Sequence, residues 1–367
     1  MDLSDYQPAG LAEATTIPSR WYLAPEFLEL EKRRVFRHNW QPAGRAQDVA
    51  GPGQYVPTEI AGEPLVIARG EDGVLRCFSN VCRHRASVIV AQSGQGSVLR
   101  CPYHGWTYKL DGRLHGAPEF DGVAGWDPAR ICLPRSRAET WGPFVFVNVD
   151  GGAPPLEEVM GSIPEEIAAL GCPIDGLRFS MRRDYVIECN WKVYIDNYLE
   201  GYHLPVAHPS LFRELDYNQY RVETRRWHSS QHAPIRPPKP GERRQYGEQA
   251  DKGALYYWIF PNFMLNVYPD NLSSNIIVPL GHDRTLTIFE WFTYAAGGEA
   301  AAVRPDTVAF SDEIQQEDIR LCESVQKGLA SPSYDKGRLS VERENGVHHF
   351  HLLLYEALAA DREGVVN

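Results

Sequence analysis

The sequence predicts an α+β protein in which a small all-β domain precedes a larger domain built on an antiparallel sheet flanked by helices. Two observations lead to this fold class. The 367 residues exceed one typical domain, and the texture of the chain changes at the Pro/Gly-rich stretch GGAPP, residues 151–155. We therefore expect an N-terminal helical segment over residues 1–39 that packs on the larger domain, the all-β domain over 40–150, and the larger domain over 151–367.

Hydrophobic periodicity justifies the elements in order. The N-terminal segment spaces its apolar residues among charges, as an amphipathic helix does, at Phe27, Leu28, Leu30, Val35 and Phe36. Residues 40–150 consist of short apolar runs between Gly-rich turns, which is typical of β-hairpins. Beyond the boundary, residues 177–203 pass from alternating apolar residues to a helical pattern near Trp191. Residues 259–280 and 284–296 indicate long strands of a sheet.

Two helices are predicted near the C-terminus. Residues 311–329 carry apolar side chains at three- and four-residue steps, with Ser311 as the expected N-cap. Residues 348–364 begin with HHFH and continue in a helical pattern, and we interpret these histidines as structural or as supports for a metal ligand. The polar, Pro/Gly-rich residues 232–253 indicate either a mobile active-site lid or a solvated surface loop.

Composition limits the classes of partner. The 37 Lys and Arg against 48 Asp and Glu give a formal charge of −11, which disfavours binding to nucleic acid or to an anionic membrane. We expect neither a signal peptide nor a membrane span, because no apolar run approaches the length of either. The seven cysteines are odd in number and dispersed, which favours a reducing cytoplasm over a disulfide framework.

Two Cys-His pairs lie in the all-β domain, each where a predicted strand ends in a turn. Cys82 and His84 are spaced C-x-H, and Cys101 and His104 are spaced C-x2-H. Structural zinc remains an alternative, but zinc sites usually keep their cysteines in one close pair and their histidines in another. One Cys and one His from each of two loops suit a Rieske [2Fe–2S] cluster, in which two cysteines hold one iron and two histidines the other. Cys77, Cys132 and Cys189 are expected to be small buried apolar residues.

A second group of candidate ligands lies in the larger domain. Glu200 and His203 would share one face of a helix, whereas His208 follows at about 140° further round. Pro205 lies between the histidines, so we expect the helix to end or bulge near residues 203–206. Two histidines and a carboxylate would hold a mononuclear non-haem Fe(II).

The third ligand is expected among the carboxylates of the predicted helix over 311–329. Glu317, Asp318 and Glu323 are the candidates, and Asp318 is preferred because it has the shorter side chain and lies beside Ile319. Glu317 remains the alternative.

These motifs give the chain a clear resemblance. Cys82-x-His84, Cys101-x2-His104 and Glu200-x2-His203-x4-His208 resemble the cluster and iron motifs of the α-subunits of Rieske non-haem iron oxygenases, from about residue 20 to the C-terminus. Within that family the chain is most similar to the choline monooxygenases and the bacterial quaternary-ammonium oxygenases, in stretches such as NVCRHRAS, DNYLEGYHLPVAHP and GVHHFH.

The resemblance implies an assembly and an electron path. It implies a homotrimer in which the cluster of one subunit lies beside the iron of its neighbour. Glu200 would then bridge His104 of one subunit and His203 of the next, and Asp318 would be the third iron ligand. Because the sequence has neither a dinucleotide fingerprint nor a second ferredoxin-type cysteine set, electrons from NAD(P)H must come through a separate flavin and iron–sulfur reductase.

Three hypotheses for the function remain, and in the first two a small-molecule substrate reacts with O2. A quaternary ammonium compound could be hydroxylated or N-demethylated while held over aromatic rings by cation–π attraction. An aromatic-ring substrate would use a similar apolar pocket. A Rieske electron carrier without oxygenase activity would require an incomplete mononuclear site. The candidate pocket residues are Tyr202, Trp258, Phe263, Tyr268 and Trp291, with Tyr194, Phe260 and Phe292 as further rings.

Overall fold

The structure is a computed structural model that describes residues 2–240, 253–268, 271–296, 299–300 and 302–360. The chain forms two compact units: one takes the residues up to Glu31 and resumes at Glu157, and the other runs from Lys32 to Leu156. Residues 32–39 therefore belong to the second of these units. None of the helices in the described residues is long and apolar enough to cross a membrane.

The unit from Lys32 to Leu156 is built of antiparallel strands. A seven-stranded sheet has the order β1-β10-β9-β4-β3-β2-β5, and a three-stranded sheet has the order β6-β7-β8. The strands are β1 Gln41–Arg45, β2 Gln54–Ile60, β3 Glu63–Arg69, β4 Leu75–Ser79, β5 Gly94–Gln95, β6 Val98–Arg100, β7 Thr107–Lys109, β8 Leu114–Gly116, β9 Arg135–Trp141 and β10 Phe144–Asn148. Alternating apolar residues of these short strands, such as Val66, Phe78 and Leu99, are completely buried in one core.

The other unit is organised on an eight-stranded antiparallel sheet. Its order is β11-β17-β16-β15-β14-β13-β12, with β18 paired to β17. The strands are β11 Leu177–Ile187, β12 Arg221–Thr224, β13 His228–Ala233, β14 Ala254–Ile259, β15 Phe263–Val267, β16 Leu272–Pro279, β17 Thr285–Ala296 and β18 Glu299–Ala300. An all-β unit and a helix-flanked antiparallel sheet confirm the predicted α+β class.

The helices are α1 Ser19–Leu23, α2 Pro25–Glu31, α3 Leu156–Met160, α4 Ile163–Ala169, α5 Trp191–Tyr198, α6 Leu204–Ala207, α7 Pro209–Glu214, α8 Pro305–Leu329 and α9 Asn345–Ala359. The prediction of Ser311 as an N-cap is wrong, because α8 begins at Pro305 with Arg304 as N-cap. Proline suits the first helical turn, where its missing N–H would have no intrahelical partner. A six-residue extension therefore places Ser311 inside the helix.

The segment ahead of Glu31 packs on α5. Glu31 and Lys192 form an ion pair of 2.6 Å, and both side chains are completely buried. Glu31 also accepts a hydrogen bond of 2.7 Å from the indole of Trp191. The hydroxyl of Tyr22 donates to Asp196 at 2.6 Å. These polar contacts hold the N-terminal segment, which is more than 150 residues away in sequence, on helix α5, and Glu200 and His203 follow this helix in the chain.

Two further expectations need correction. Residues 232–233 end strand β13 rather than beginning a loop, and residues 241–252 of the expected lid lie outside the described residues. Cys132 is exposed, not buried, and it follows the short helical turn Pro128–Arg130, in which no residue is buried, whereas Cys77 and Cys189 are buried as expected.

Candidate metal centres

The two Cys-His loops of the all-β unit are built alike. In one, the amide of Cys82 donates to Ser87 O and that of Ala86 donates to Cys82 O, at 2.9 and 3.0 Å. In the other, the amide of Cys101 donates to Trp106 O and that of Gly105 donates to Cys101 O, at 2.8 and 3.1 Å.

Each loop turns at the fourth residue after its cysteine. Ala86 and Gly105 occupy these positions with φ of 57° and 73°, in the left-handed region. Two matching turns thus present one Cys and one His each.

The thiols and imidazoles of these loops occupy different depths. Cys82 and Cys101 are buried at 3% and 2% exposure, whereas His104 is exposed. The rings of His84 and His104 lie 4.6 Å apart, centroid to centroid. Nδ1 of His84 is buried and has no hydrogen-bond partner. An unpartnered buried ring nitrogen beside a second imidazole, on the same two loops as two buried thiols, fits a cluster with one iron held by cysteines and the other by histidines.

Aromatic residues and backbone groups surround the thiols. The Trp106 ring stacks on His84 at 4.9 Å and is 3% exposed, so it shields this side of the site from water. The Tyr108 hydroxyl lies 3.3 Å from Cys82 Sγ. Burial raises the pKa of Cys101, but the backbone amides of Tyr103 and His104 outweigh it, so that the pKa of this thiol is lowered. Hydrogen bonds to the thiolate favour the form that binds a metal.

The second candidate centre lies where α5 ends. Asn190 caps the start of α5 by accepting the amide N–H of Lys192 at 3.0 Å. The helix stops at Tyr198, earlier than expected, so Glu200 and His203 do not share a helical face. Pro205 lies in the first turn of α6 rather than ending a longer helix, and His203 and His208 flank this four-residue helix. The short helix brings the two imidazole rings to 5.0 Å, centroid to centroid.

Three ligand atoms converge at this point. One atom each of His203, His208 and Asp318 lies within 4.8 Å of the others. Asp318 Oδ1 is 3.0 Å from His208 Nε2 and 3.9 Å from His203 Nε2. Two imidazoles and one carboxylate are the donor set of a mononuclear Fe(II) site, and they fit that ion.

Each of the three groups is held by a further side chain. Glu200 Oε1 lies 2.5 Å from His203 Nδ1. Glu317 Oε2 lies 2.7 Å from His208 Nδ1, and the Asn197 amide donates to Asp318 Oδ1 at 2.7 Å. Glu317 is therefore on the opposite side of the ring from Asp318.

His208 is 1% exposed. Burial lowers its pKa, but the neighbouring carboxylates of Asp318 and Glu317 outweigh burial and raise it.

A cavity of about 120 Å³ opens beside this site. Among the described residues that line it, Glu200 and Asp318 are the carboxylates, and none is Lys or Arg. Its polar lining includes amides of β15 and β16, among them Asn266 and Asn275. The aromatic residues of the lining are Tyr194, Tyr198, Tyr220, Tyr256, Tyr268, Phe289, Trp291 and Phe310.

Only part of the expected aromatic set reaches this cavity. Tyr268 and Trp291 line it, as does Tyr194. Tyr202 does not line it and is 58% exposed. Trp258 and Phe263 are at most 1% exposed and lie outside the lining. The Trp258 indole donates to Pro261 O, and its ring packs against Phe350. Phe260 and Phe292 are also buried away from the lining.

The HHFH histidines lie on α9. His351 Nε2 is 3.0 Å from Asp196 Oδ1, and His348 Nε2 is 2.9 Å from Ala9 O. Burial lowers the pKa of His349 to about 4. These contacts agree with the structural reading of this motif.

Asn197, which holds Asp318, and the cavity-lining residues Tyr198 and Tyr220 were not predicted from the sequence. For Asn197 and Tyr198 the available signal was their position two to three residues before Glu200.

Two parts of the chain match the models of known protein families. Residues 39–127 match the model of the Rieske [2Fe-2S] domain, and residues 174–360 match that of the ring hydroxylating alpha subunit (catalytic domain). The chain is 35% identical over 351 residues to a chloroplastic choline monooxygenase of Beta vulgaris, covering 94% of this chain and 78% of that one.

One further relative and one solved structure match over almost the whole chain. The carnitine monooxygenase oxygenase subunit of Escherichia coli (strain K12) is 33% identical over 360 residues, covering 94% of each chain. A solved structure of a quaternary ammonium Rieske monooxygenase, described in terms of carnitine oxidation and inter-subunit electron transfer, superimposes on this chain with a TM-score of 0.82. It shares 28% identity and covers 96% of this chain and 99% of that chain.

Proposed function

Since this chain belongs to the Rieske oxygenases with a ring-hydroxylating-type α-subunit, we propose that its substrate is a small quaternary ammonium compound. It is a Rieske non-haem iron oxygenase with a [2Fe–2S] cluster and a mononuclear iron.

We assign the cluster to Cys82, His84, Cys101 and His104. The buried, unpartnered Nδ1 of His84 supports this assignment, because a buried polar atom without a partner is costly unless it binds something.

We assign the mononuclear iron to His203, His208 and Asp318, whose ligand atoms converge. When bound there, the iron would supply the site at which O2 is activated. The chain itself holds the imidazoles through Glu200 and Glu317 and the carboxylate through Asn197.

The charges and aromatic rings of the residues that line the cavity support a quaternary ammonium substrate. Of the described residues that line the cavity, Glu200 and Asp318 are carboxylates that can balance the charge of Fe(II), and none is Lys or Arg, so no cationic side chain of this lining repels an ammonium group. Tyr268 and Trp291 present aromatic rings, and each ring would attract a quaternary ammonium by about 0.5–2 kcal/mol. The printed functions of the relatives, choline and carnitine monooxygenase, support the same class. We propose hydroxylation or N-demethylation of such a compound.

Electrons would enter at the cluster and reach the iron through Glu200. We propose that Glu200 bridges His203 and the partner subunit's cluster in a homotrimer, fed by a separate flavin and iron–sulfur reductase. The contact of 2.5 Å between Glu200 and His203 supports its half of this bridge. A molecular mass in solution of three times the 41.4 kDa chain mass is expected, and a monomer at working concentration would refute the bridge.

The substrate test is O2 consumption by the iron-loaded, pre-reduced protein. Choline, glycine betaine, carnitine and several aromatic acids are offered in turn, and products are identified by mass. A product heavier by one oxygen, or formaldehyde release, with a quaternary amine supports the proposal. Stimulation by aromatic acids alone would instead assign the protein to ring hydroxylation, which the apolar rings of the cavity and the family of the catalytic domain also accommodate.

A further inference from the structure

Helix α8 presents two consecutive carboxylates to one imidazole ring. Glu317 Oε2 lies 2.7 Å from His208 Nδ1, and Asp318 Oδ1 lies 3.0 Å from His208 Nε2. We infer that Glu317 is a positioning residue, which fixes the proton and the orientation of His208 so that Nε2 is offered to the iron. The inference rests on the iron site proposed above.

The chemistry of imidazole gives the reason. A neutral histidine carries one N–H and one lone pair, and the hydrogen bond at one nitrogen decides which nitrogen is free to bind a metal. With Nδ1–H donating to Glu317, the lone pair is on Nε2, beside Asp318. The two ring nitrogens point in different directions, so Glu317 cannot reach an ion bound at Nε2.

The position of His208 makes this support necessary. His208 joins two short helices: it closes α6, and its side chain makes no cap contact at the start of α7. Its backbone, at φ −123° and ψ 69°, is not helical. Within the described part of the chain, the polar groups that contact its ring are the two carboxylates of α8.

His203 and His208 are supported in different ways. Glu200, which holds His203, is three residues away in the same loop. Glu317 is 109 residues from His208 and lies on another element. The contact of Glu317 therefore holds the segment from Glu200 to His208 against α8. It thereby fixes the position of His208 relative to Asp318, which follows Glu317 on the same helix.

The test is the dissociation constant for Fe(II) of the cluster-containing protein, measured by competition with a chelator. Glu317→Leu removes the acceptor at similar size and should weaken Fe(II) binding about 10- to 100-fold. Glu317→Gln keeps one acceptor oxygen and should weaken it less. Glu313→Gln is the matched control, because Glu313 lies one turn earlier on α8 and accepts a hydrogen bond from Ser210, which is not one of the three proposed ligands.

A second readout separates positioning from general damage. In the Co(II)-loaded protein, the visible ligand-field bands should shift in both Glu317 variants and stay unchanged in Glu313→Gln. Cluster absorbance and thermal unfolding of the iron-free protein report folding. If Glu317→Leu does not fold, Glu317→Gln decides the question through its Fe(II) affinity and Co(II) spectrum.

The outcomes distinguish this inference from the proposed site. Fe(II) affinity within twofold of wild type and an unchanged Co(II) spectrum in the folded Glu317 variants, with binding lost in Asp318→Ala, would overturn the inference alone. Undiminished Fe(II) binding in Asp318→Ala would show that the proposed iron site is wrong.

Discussion

Replacing Lys192 by methionine tests whether the buried ion pair holds the N-terminal segment on α5. Methionine keeps the length of the side chain and removes its charge. Glu31 would then retain one donor, the Trp191 indole at 2.7 Å, inside a region where it is completely buried. Breaking one half of a buried pair costs about 3–5 kcal/mol, because the other charge stays buried without compensation.

That loss of stability should be visible as a lower melting temperature. For a unit of 150–250 residues, each 1 kcal/mol lowers Tm by about 2–4 °C. The calorimetric transition of Lys192→Met is therefore expected about 6–20 °C below that of the wild type. A decrease of less than about 4 °C, equivalent to 1 kcal/mol, would refute the reasoning.

The effect should also depend on pH in a defined direction. Burial raises the pKa of Glu31, and the charge of Lys192 opposes this rise. Without Lys192 the pKa of Glu31 rises further. An acid whose pKa is raised on folding contributes stability that is present below its unfolded pKa and is lost as pH rises through the folded value. The deficit of Lys192→Met should therefore shrink as pH is lowered from about 7 towards 5.

Two matched variants complete the experiment. Glu31→Gln combined with Lys192→Met removes both charges and should recover most of the lost Tm. Arg226→Met breaks an exposed pair, Arg226–Glu356 at 2.8 Å, with side chains 59% and 55% exposed. Exposed pairs contribute about 0–1 kcal/mol, so this control should melt close to the wild type.

Four further predictions concern the proposed site and the loop that carries it. Asp318→Ala should lose mononuclear iron and turnover while keeping the visible absorbance of the cluster; full iron content by metal analysis would contradict its role. Glu200→Gln should retain both metal centres but lose coupled turnover, and an unimpaired rate would rule out the bridge. Trp291→Leu should raise KM for the quaternary amine about 2- to 30-fold, from the loss of one cation–π contact, with KM for O2 as the internal control. Gly201→Ala would place a Cβ 2.6 Å from the ring of Tyr220, and the overlap should cost about 1–3 kcal/mol in stability; an unchanged Tm would mean that the loop yields.

The strands were predictable from the sequence because their patterns are local. Alternating apolar residues between Gly-rich turns indicate β-hairpins wherever they occur, and the two Cys-His loops follow directly from such strands. The start of α8 was not predictable to the same degree. Ser311 is a good N-cap by residue type, but Pro305 suits the first helical turn equally well. The helix begins at Pro305, and its additional residues are packed, with Thr307 and Val308 buried.

The ligands were easier to find than the walls of the cavity. His203 and His208 stand out by residue type, whereas their approach depends on a four-residue helix that has Pro205 in its first turn. Aromatic residues in strands give no sign of which face they occupy when both faces are buried. Trp291 and Trp258 are equally buried, yet only the first lines the cavity. Such a difference depends on sheet register and on α9, both of which are long-range.

The interruption of one unit by the other has a consequence for how this protein can be divided. The chain of the catalytic unit is broken between Glu31 and Glu157, and the intervening residues form a module of their own. A fragment that starts at Glu157 would lack Tyr22, Phe27 and Glu31, all at most 3% exposed, and would leave the ammonium of Lys192 without its counter-ion. A viable excision removes the middle and rejoins the two flanks. Recombination between relatives is thus expected to exchange the inserted unit, Lys32–Leu156, by itself. Exchange of everything upstream of Glu157 would also replace the N-terminal residues that pack on α5.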